Sequence, residues 1–173
     1  MIKDIFRFTL LSILVWVVGF GIGIVYLSFG EHTSNLSAAN IDSVYIQDVI
    51  NIFVNNMRLI LGNILGFFTF GIFPIINLLI NGFVLAGFVF IGLQAKISIK
   101  TICFATLPHF FEYFAVWFSA GFSFYCVYNF KQYTVSLFRN NNFLFNIVYV
   151  FLLCEVFIFI AAFMEVFIAT KAF

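Results

Sequence analysis

Long uncharged stretches separated by short polar ones dominate this chain. Lys, Arg, Asp and Glu are absent from residues 8–30 and 59–95. Residues 101–130 contain one such residue, Glu112, and residues 140–170 contain two. A helix needs about 20 apolar residues to cross the ~30 Å hydrocarbon core of a bilayer. The pattern therefore predicts an all-α fold, a polytopic membrane helix bundle with proline-broken segments.

About five spans are expected, in a single membrane domain of residues 1–173, at residues 5–29, 57–73, 75–94, 108–128 and 143–169. One straight helix over residues 59–93 would be ~52 Å long, too long for one crossing. We expect two short helices that meet at Pro74, and a single kinked helix is the alternative. Residues 97–107 are expected to form a short surface helix, and the crossing helix after it to begin at Pro108.

The few cations suggest the orientation. Lys3 and Arg7 precede the first span, which favours a cytoplasmic N-terminus. Residues 30–56 contain acidic residues but, like an outer loop, no Lys or Arg. Apolar positions late in this stretch favour a short amphipathic helix at the interface or at the start of the next span. The cation count leaves four crossings open, and span length favours five.

Composition excludes several classes of protein. The chain is 64% hydrophobic and 9% charged, with a net charge of +1, whereas soluble domains carry roughly 25% charged residues. There is no basic surface for nucleic acid. The three cysteines stand singly in apolar segments, so we expect them to be buried and unpaired. Neither a metal site, a cofactor site nor an enzyme motif is evident, and we expect no enzyme activity.

Polar residues in the apolar segments are the functional candidates, because an unpaired polar group inside a membrane is costly. A charged residue at the bilayer centre costs about 2.5–3.5 kcal/mol. We expect one buried polar cluster made of Asn56, Arg58, Asn81, His109, Glu112 and Glu165. Glu155 is a weaker candidate, since it lies ~80° around the helix from Glu165.

Spacing places several of these side chains on shared helix faces. His109 and Glu112 are three residues apart, and Asn77 and Asn81 are four apart. Arg58 is a candidate partner for Glu165. Such groups are either hydrogen-bonding contacts between helices, which we favour, or a proton, ion or substrate site.

A family resemblance rests on a series of motifs. They are the asparagines at 55–56, the glycines within 62–71, Asn81-Gly82, the LPHFFEYFA run at 107–115 and the AAFME run at 161–165. In this pattern the chain resembles the stage II sporulation protein M family over about residues 50–170. One residue departs from it, since the glycine usual after the histidine is Phe110 here.

The resemblance implies a multi-pass protein of the prokaryotic cytoplasmic membrane. The founding member of the family acts with peptidoglycan-degrading partners during engulfment of the forespore, but the family has no established common activity. The first hypothesis is a scaffold or assembly protein that binds membrane proteins, including copies of itself, within the lipid bilayer. The alternative is a transporter or permease-like unit with a buried Asn/His/Glu site.

Overall fold

Helices make up all the regular secondary structure in the described part of the chain. The structure, a computed structural model, describes residues 2–29, 46–130 and 142–169. In chain order the helices are α1 (Ile2–Phe29), α2 (Ile46–Leu65), a 3₁₀ helix (Gly66–Thr69), α3 (Ile72–Gln94), α4 (Ile99–Ala105), α5 (Leu107–Tyr128) and α6 (Asn142–Ala169). The all-α prediction is confirmed for these residues.

Five of the helices are long and apolar enough to cross a membrane. Their membrane-crossing parts are Asp4–Phe29, Val49–Thr69, Ile72–Gln94, Leu107–Tyr128 and Phe143–Val166. Each is 21 to 26 residues long, and about 20 residues suffice to cross the hydrocarbon core. The expected number of spans is therefore confirmed by length and composition.

The break between the second and third spans lies before Pro74, and the expected boundary at that proline is wrong. The turn is at Phe70 and Gly71, which have φ angles of +51° and +84°. Gly71 adopts this left-handed conformation without a Cβ clash, and its amide donates to the Gly66 carbonyl at 3.0 Å. Pro74 lies in the first turn of α3, where a missing amide hydrogen leaves no helical bond unmade.

The polar segment after α1 is shorter than expected. We expected an outer loop over residues 30–56 and a span from residue 57, but α2 already begins at Ile46. Residues 30–45 lie outside the described part of the chain. α2 begins this early because its apolar face packs into the bundle. Ile60 and Ile64 on this face are buried in the core, and Phe53 packs against the core. Of the two expected roles for the amphipathic stretch, the start of the next span is the one observed.

A short helix precedes the fourth span. α4 begins after Ser98, whose side-chain oxygen accepts a hydrogen bond from the Thr101 amide at 3.2 Å. α5 follows almost at once, with Pro108 in its first turn. Cys103 on α4 is exposed, so the expectation of burial is wrong there, while Cys126 and Cys154 are buried and free.

α5 is the central helix, and more than half of its span is buried. It packs against α1, α2 and α6. Small residues permit this, since a Cβ atom on Gly121 would lie 2.7 Å from the Thr9 amide nitrogen. Contacts between residues show that α1 and α6 run antiparallel to α5. On α1, Thr9 lies beside Gly121 and Trp16 beside Tyr113. On α6, Phe157 contacts Phe114, and Glu165, further along α6, lies near His109, which is earlier on α5.

α1 and α3 cross with their backbones in contact. A Cβ atom added to Gly19 would overlap the Leu79 carbonyl, and one added to Gly82 would overlap the Trp16 carbonyl. Apolar side chains gain little from contact with one another inside lipid, so close backbone packing is a main source of helix association. These two glycines therefore set the distance between α1 and α3.

Gly19→Ala should destabilise the bundle, whereas Gly21→Ala should not. A Cβ atom at Gly21 would meet nothing within 4 Å. Overpacking costs about 1–3 kcal/mol, whereas replacing a helical glycine by alanine gains up to ~1 kcal/mol. Unfolding of the two variants in mixed micelles measures the difference. Equal stability would contradict the close packing of α1 and α3.

Cysteine labelling tests the orientation. A membrane-impermeant maleimide added to intact cells should label Cys103, because that thiol is exposed and α4 is expected on the outer side. Cys126 and Cys154 should stay unlabelled until the protein is unfolded, since both are buried. Labelling of Cys103 only after the cells are opened would place α4 and the α5 N-terminus in the cytoplasm.

Candidate functional site

A chain of side-chain amides crosses the interior of the bundle. The Asn81 side-chain nitrogen donates to the side-chain oxygen of Asn77 and to the backbone carbonyl of Asn77, both at 2.8 Å. The Asn77 amide nitrogen in turn donates to Asn63 Oδ1 at 2.9 Å. The spacing of Asn77 and Asn81 on α3 therefore brings them together as the sequence suggested, and Asn63 on α2 is their partner.

Asn63 connects this series of side-chain amides to α5. Its amide nitrogen donates to Ser119 Oγ at 3.2 Å and to the Val116 carbonyl at 3.4 Å. Ser119 Oγ donates to the same carbonyl at 3.0 Å. Asn63 and Ser119 are 0% exposed and Asn77 is 8% exposed. We call Asn63, Asn77, Asn81 and Ser119 the amide chain, which joins α2, α3 and α5.

A second group of polar side chains lies near the N-terminus of α5. His109 Nδ1 is 3.2 Å from Glu112 Oε2, and the two side chains are 32% and 14% exposed. One helical turn separates them, so they lie on one face, as their spacing predicts. The His109 ring is also near the Tyr113 ring, with 6.2 Å between the ring centroids.

Glu165 on α6 joins this second group. Its carboxyl lies within electrostatic range of both His109 and Glu112. Because α6 runs antiparallel to α5, the end of the last span meets the beginning of the fourth. We call His109, Glu112 and Glu165 the ionisable group. It can hold charge or exchange protons, whereas the amide chain can only donate and accept hydrogen bonds.

Among the described residues, no hydrogen bond joins the amide chain to the ionisable group, and the single cluster that includes Asn81, His109, Glu112 and Glu165 stays a prediction. Glu112 and Ser119 are seven residues apart on α5, which separates them by about 10 Å along the helix axis. Asn81 bonds within the amide chain, and the ionisable group lies toward the membrane surface. The bond of Asn63 to Ser119 was not predicted, because the spacing of residues along one helix does not show which residue of another helix lies opposite.

Asn56 and Arg58 complete the expected set. Asn56 is buried, at 7% exposure, whereas Arg58 is exposed. In the described part of the chain no ion pair joins Arg58 to Glu165, whose electrostatic neighbours are His109 and Glu112. The expected pairing of Arg58 with Glu165 is not seen.

Several buried polar atoms have no hydrogen-bond partner among the described residues. They are both carboxyl oxygens of Glu155, Ser123 Oγ and the indole nitrogens of Trp16 and Trp117. The two indoles contact each other edge to face, with 5.4 Å between ring centroids, an arrangement in which aromatic quadrupoles attract. Within residues 2–29, 46–130 and 142–169, no group of three or more His, Cys, Asp or Glu side chains could hold a metal ion.

Comparison with known proteins adds one match. A family model described as Stage II sporulation protein M matches residues 11–170 of the 173-residue chain. The match covers α1 from Leu11 onward and the whole of both polar groups. No curated protein and no solved structure matches the chain.

Asn63→Leu should destabilise the bundle because it leaves the side-chain amide of Asn77 unpaired. Without Asn63 Oδ1 the buried Asn77 amide loses its acceptor, and an unsatisfied buried group costs about 1–3 kcal/mol. Unfolding in mixed micelles measures this loss. Asn55→Leu is the matched control, because Asn55 is exposed on the same helix and its replacement should cause no loss.

A double variant separates hydrogen bonding from packing. Asn63→Leu combined with Asn77→Leu should lose less stability than the sum of the two single changes, because neither partner is then left unpaired. Strict additivity would show that the two amides are not energetically coupled.

Proposed function

The chain belongs to the stage II sporulation protein M family, and on this premise we propose that it is a membrane assembly protein. It would act by holding protein partners, including further copies of itself, within the cell membrane. Family membership and the five apolar helices support a multi-pass membrane protein. The assembly role is the proposal, and it is supported by the way in which the interior uses its polar groups.

The observation that carries the proposal is the internal hydrogen bonding of Asn63, the residue that joins the amide chain to α5. Asn63 donates to α5 and accepts from α3, so its hydrogen-bonding groups are occupied inside the protein. A transported polar solute would need such groups to replace its hydration shell. Groups already bonded across three helices instead fix those helices relative to one another. A bundle with a fixed arrangement of helices suits a protein that acts by presenting a binding surface to its partners.

The outer faces of the bundle are available to partners in the lipid. Large apolar side chains such as Val18, Ile22 and Val25 are about half exposed along α1. Gly21 lies on the same side, with open space around it. Small residues among larger ones allow a neighbouring helix to approach closely. α1 therefore offers both the lipid contact and the close approach that membrane partners need.

A transporter or permease-like unit is the second candidate, and the ionisable group favours it. A histidine and two carboxyl groups lie together at one end of the bundle, and His109 is 32% exposed. Ionisable residues in membrane helices commonly mark proton or ion pathways. Under this candidate the group would load and release protons, whereas under the assembly proposal it fastens α6 to α5.

Substitution of Glu112 distinguishes the two candidates. If the carboxyl fastens helices, Glu112→Gln keeps a hydrogen-bond acceptor near His109 and should be tolerated better than Glu112→Leu. Unfolding in micelles and the yield of crosslinked complexes from native membranes should both follow that order. For unfolding, Glu155→Gln is the control, since that carboxyl has no hydrogen-bond partner among the described residues.

Proton-coupled transport predicts a different pattern. Proteoliposomes of the wild type would then show a proton flux, and both Glu112 variants would abolish it because neither side chain can ionise. A wild-type flux lost in both variants, from a protein that runs as a monomer in native membranes, would overturn the assembly proposal. Discrete crosslinked complexes without flux would support it.

A further inference from the structure

Two ionisable residues of opposite sign lie unpaired in the membrane-crossing part of the bundle. Arg58 on α2 is exposed, and no ion pair joins it to a carboxyl group in the described part of the chain. Both carboxyl oxygens of Glu155 on α6 lack a hydrogen-bond partner among the described residues. Ionisable groups inside a bilayer are costly and usually pair with one another, so these two residues indicate an interaction that a single copy does not make.

Arg58 lies close to the middle of the membrane. Its span begins at Val49 and ends at Thr69, so Arg58 is nine residues, about 13.5 Å, from the start of the span. Half of the ~30 Å hydrocarbon core is about 15 Å. A guanidinium keeps its charge at any physiological pH. It therefore needs an acceptor at this depth.

Glu155 lies at the same depth as Arg58. α2 and α6 run antiparallel, as two ring contacts between them show. In one of these contacts Phe53 lies beside Phe159, with 6.1 Å between the ring centroids. Arg58 follows Phe53 by five residues, and Glu155 precedes Phe159 by four. At 1.5 Å per residue, both lie about 6–8 Å from that contact, on the same side of it.

The two residues border one outer face of the bundle. α2 packs against α6, so the lipid-facing sides of these helices adjoin. Apolar side chains next to the two ionisable residues on this side are between 39% and 58% exposed. We define the α2–α6 face as Arg58, Leu61 and Leu65 on α2 together with Leu152, Glu155 and Val156 on α6.

The directions of the two side chains explain why one copy leaves them unpaired. Arg58 is two residues from the buried Ile60, which places it about 160° around α2 from the core. It therefore points away from the bundle. Glu155 is adjacent to the buried Cys154 and is itself partly exposed, so it lies at the edge of the α2–α6 face.

We propose that two copies of the chain associate through their α2–α6 faces, with Arg58 of each copy paired to Glu155 of the other. A two-fold axis along the membrane normal keeps every residue at its own depth and forms the same pair twice. Rotation of the Glu155 side chain turns its carboxyl toward the second copy. Both groups are already inside the membrane before association, so little further desolvation opposes the pairing. This inference rests on the proposed assembly role, of which it names one partner.

Mixed copies test the pairing. One copy carries Arg58→Leu and the other Glu155→Leu, so neither variant can form the ion pair with itself. A mixed dimer keeps one pair, between Glu155 of the first copy and Arg58 of the second. Energy transfer between donor- and acceptor-tagged copies in proteoliposomes should show mixed association about tenfold tighter than association of either variant with itself.

Equal association of the mixed and the unmixed variants would overturn the proposal. That result is expected if Arg58 and Glu155 pair within one copy or with a different protein. Lys100→Leu on α4, an exposed cation outside the α2–α6 face, is the control and should associate like the wild type.

Two further measurements complete the test. Neither leucine variant should lose stability to unfolding in mixed micelles, since each change removes an unpaired group from the single copy. A loss in either variant would show an internal partner and would also overturn the proposal. Discrete crosslinked complexes in native membranes without preferential mixed association would reject this interface and leave the assembly role standing. Absence of all complexes would reject both.

Discussion

The absence of water from the bilayer core governs the interior of this protein. A polar side chain there needs a hydrogen-bond partner within the protein, because burying it unpaired costs several kcal/mol. Asn63 meets this demand with both ends of its amide, accepting from Asn77 and donating toward Ser119 and the Val116 carbonyl. Because those partners lie on two other helices, rotation or sliding of any one of α2, α3 and α5 would leave a buried group unpaired. One side chain thereby fixes the register of three helices.

Close backbone packing acts on the other side of α3. Asn77 faces α2, whereas Gly82, five residues and about 140° further around the helix, faces α1 at the Trp16 carbonyl. α3 is thus held by hydrogen bonds on one face and by backbone contact on the other. Neither kind of contact depends on the hydrophobic effect, which gives helices in lipid little reason to associate. The two together explain how so apolar a chain specifies one arrangement.

The sequence predicted those features that depend on a single helix. Charge-free stretches gave five spans, and three-residue spacing gave the contact of His109 with Glu112. The features it missed depend on other helices. The turn between the second and third spans needs two residues in the left-handed conformation, Phe70 and Gly71. Pro74 did not predict the position of this turn. Periodicity shows which face of a helix is polar but not which helix lies opposite. It could therefore not foresee the bond of Asn63 to Ser119 or the exposure of Arg58.

The locations of these groups bear on where the protein acts. Its mid-membrane polar groups in the amide chain cannot ionise and are bonded to one another. The groups that can carry charge lie toward the two ends of the bundle, with His109, Glu112 and Glu165 at one end and Asp4 and Arg7 at the other. Two groups in the described part of the chain are exceptions. Glu155 lies near the middle of α6 and has no hydrogen-bond partner among the described residues. Arg58 lies near the middle of the second span and is exposed. A transport path needs exchangeable groups through its whole depth, and between the two ends this structure offers mainly bonded amides. That distribution favours a fixed bundle whose chemistry takes place at the membrane surfaces, which is the property an assembly protein requires.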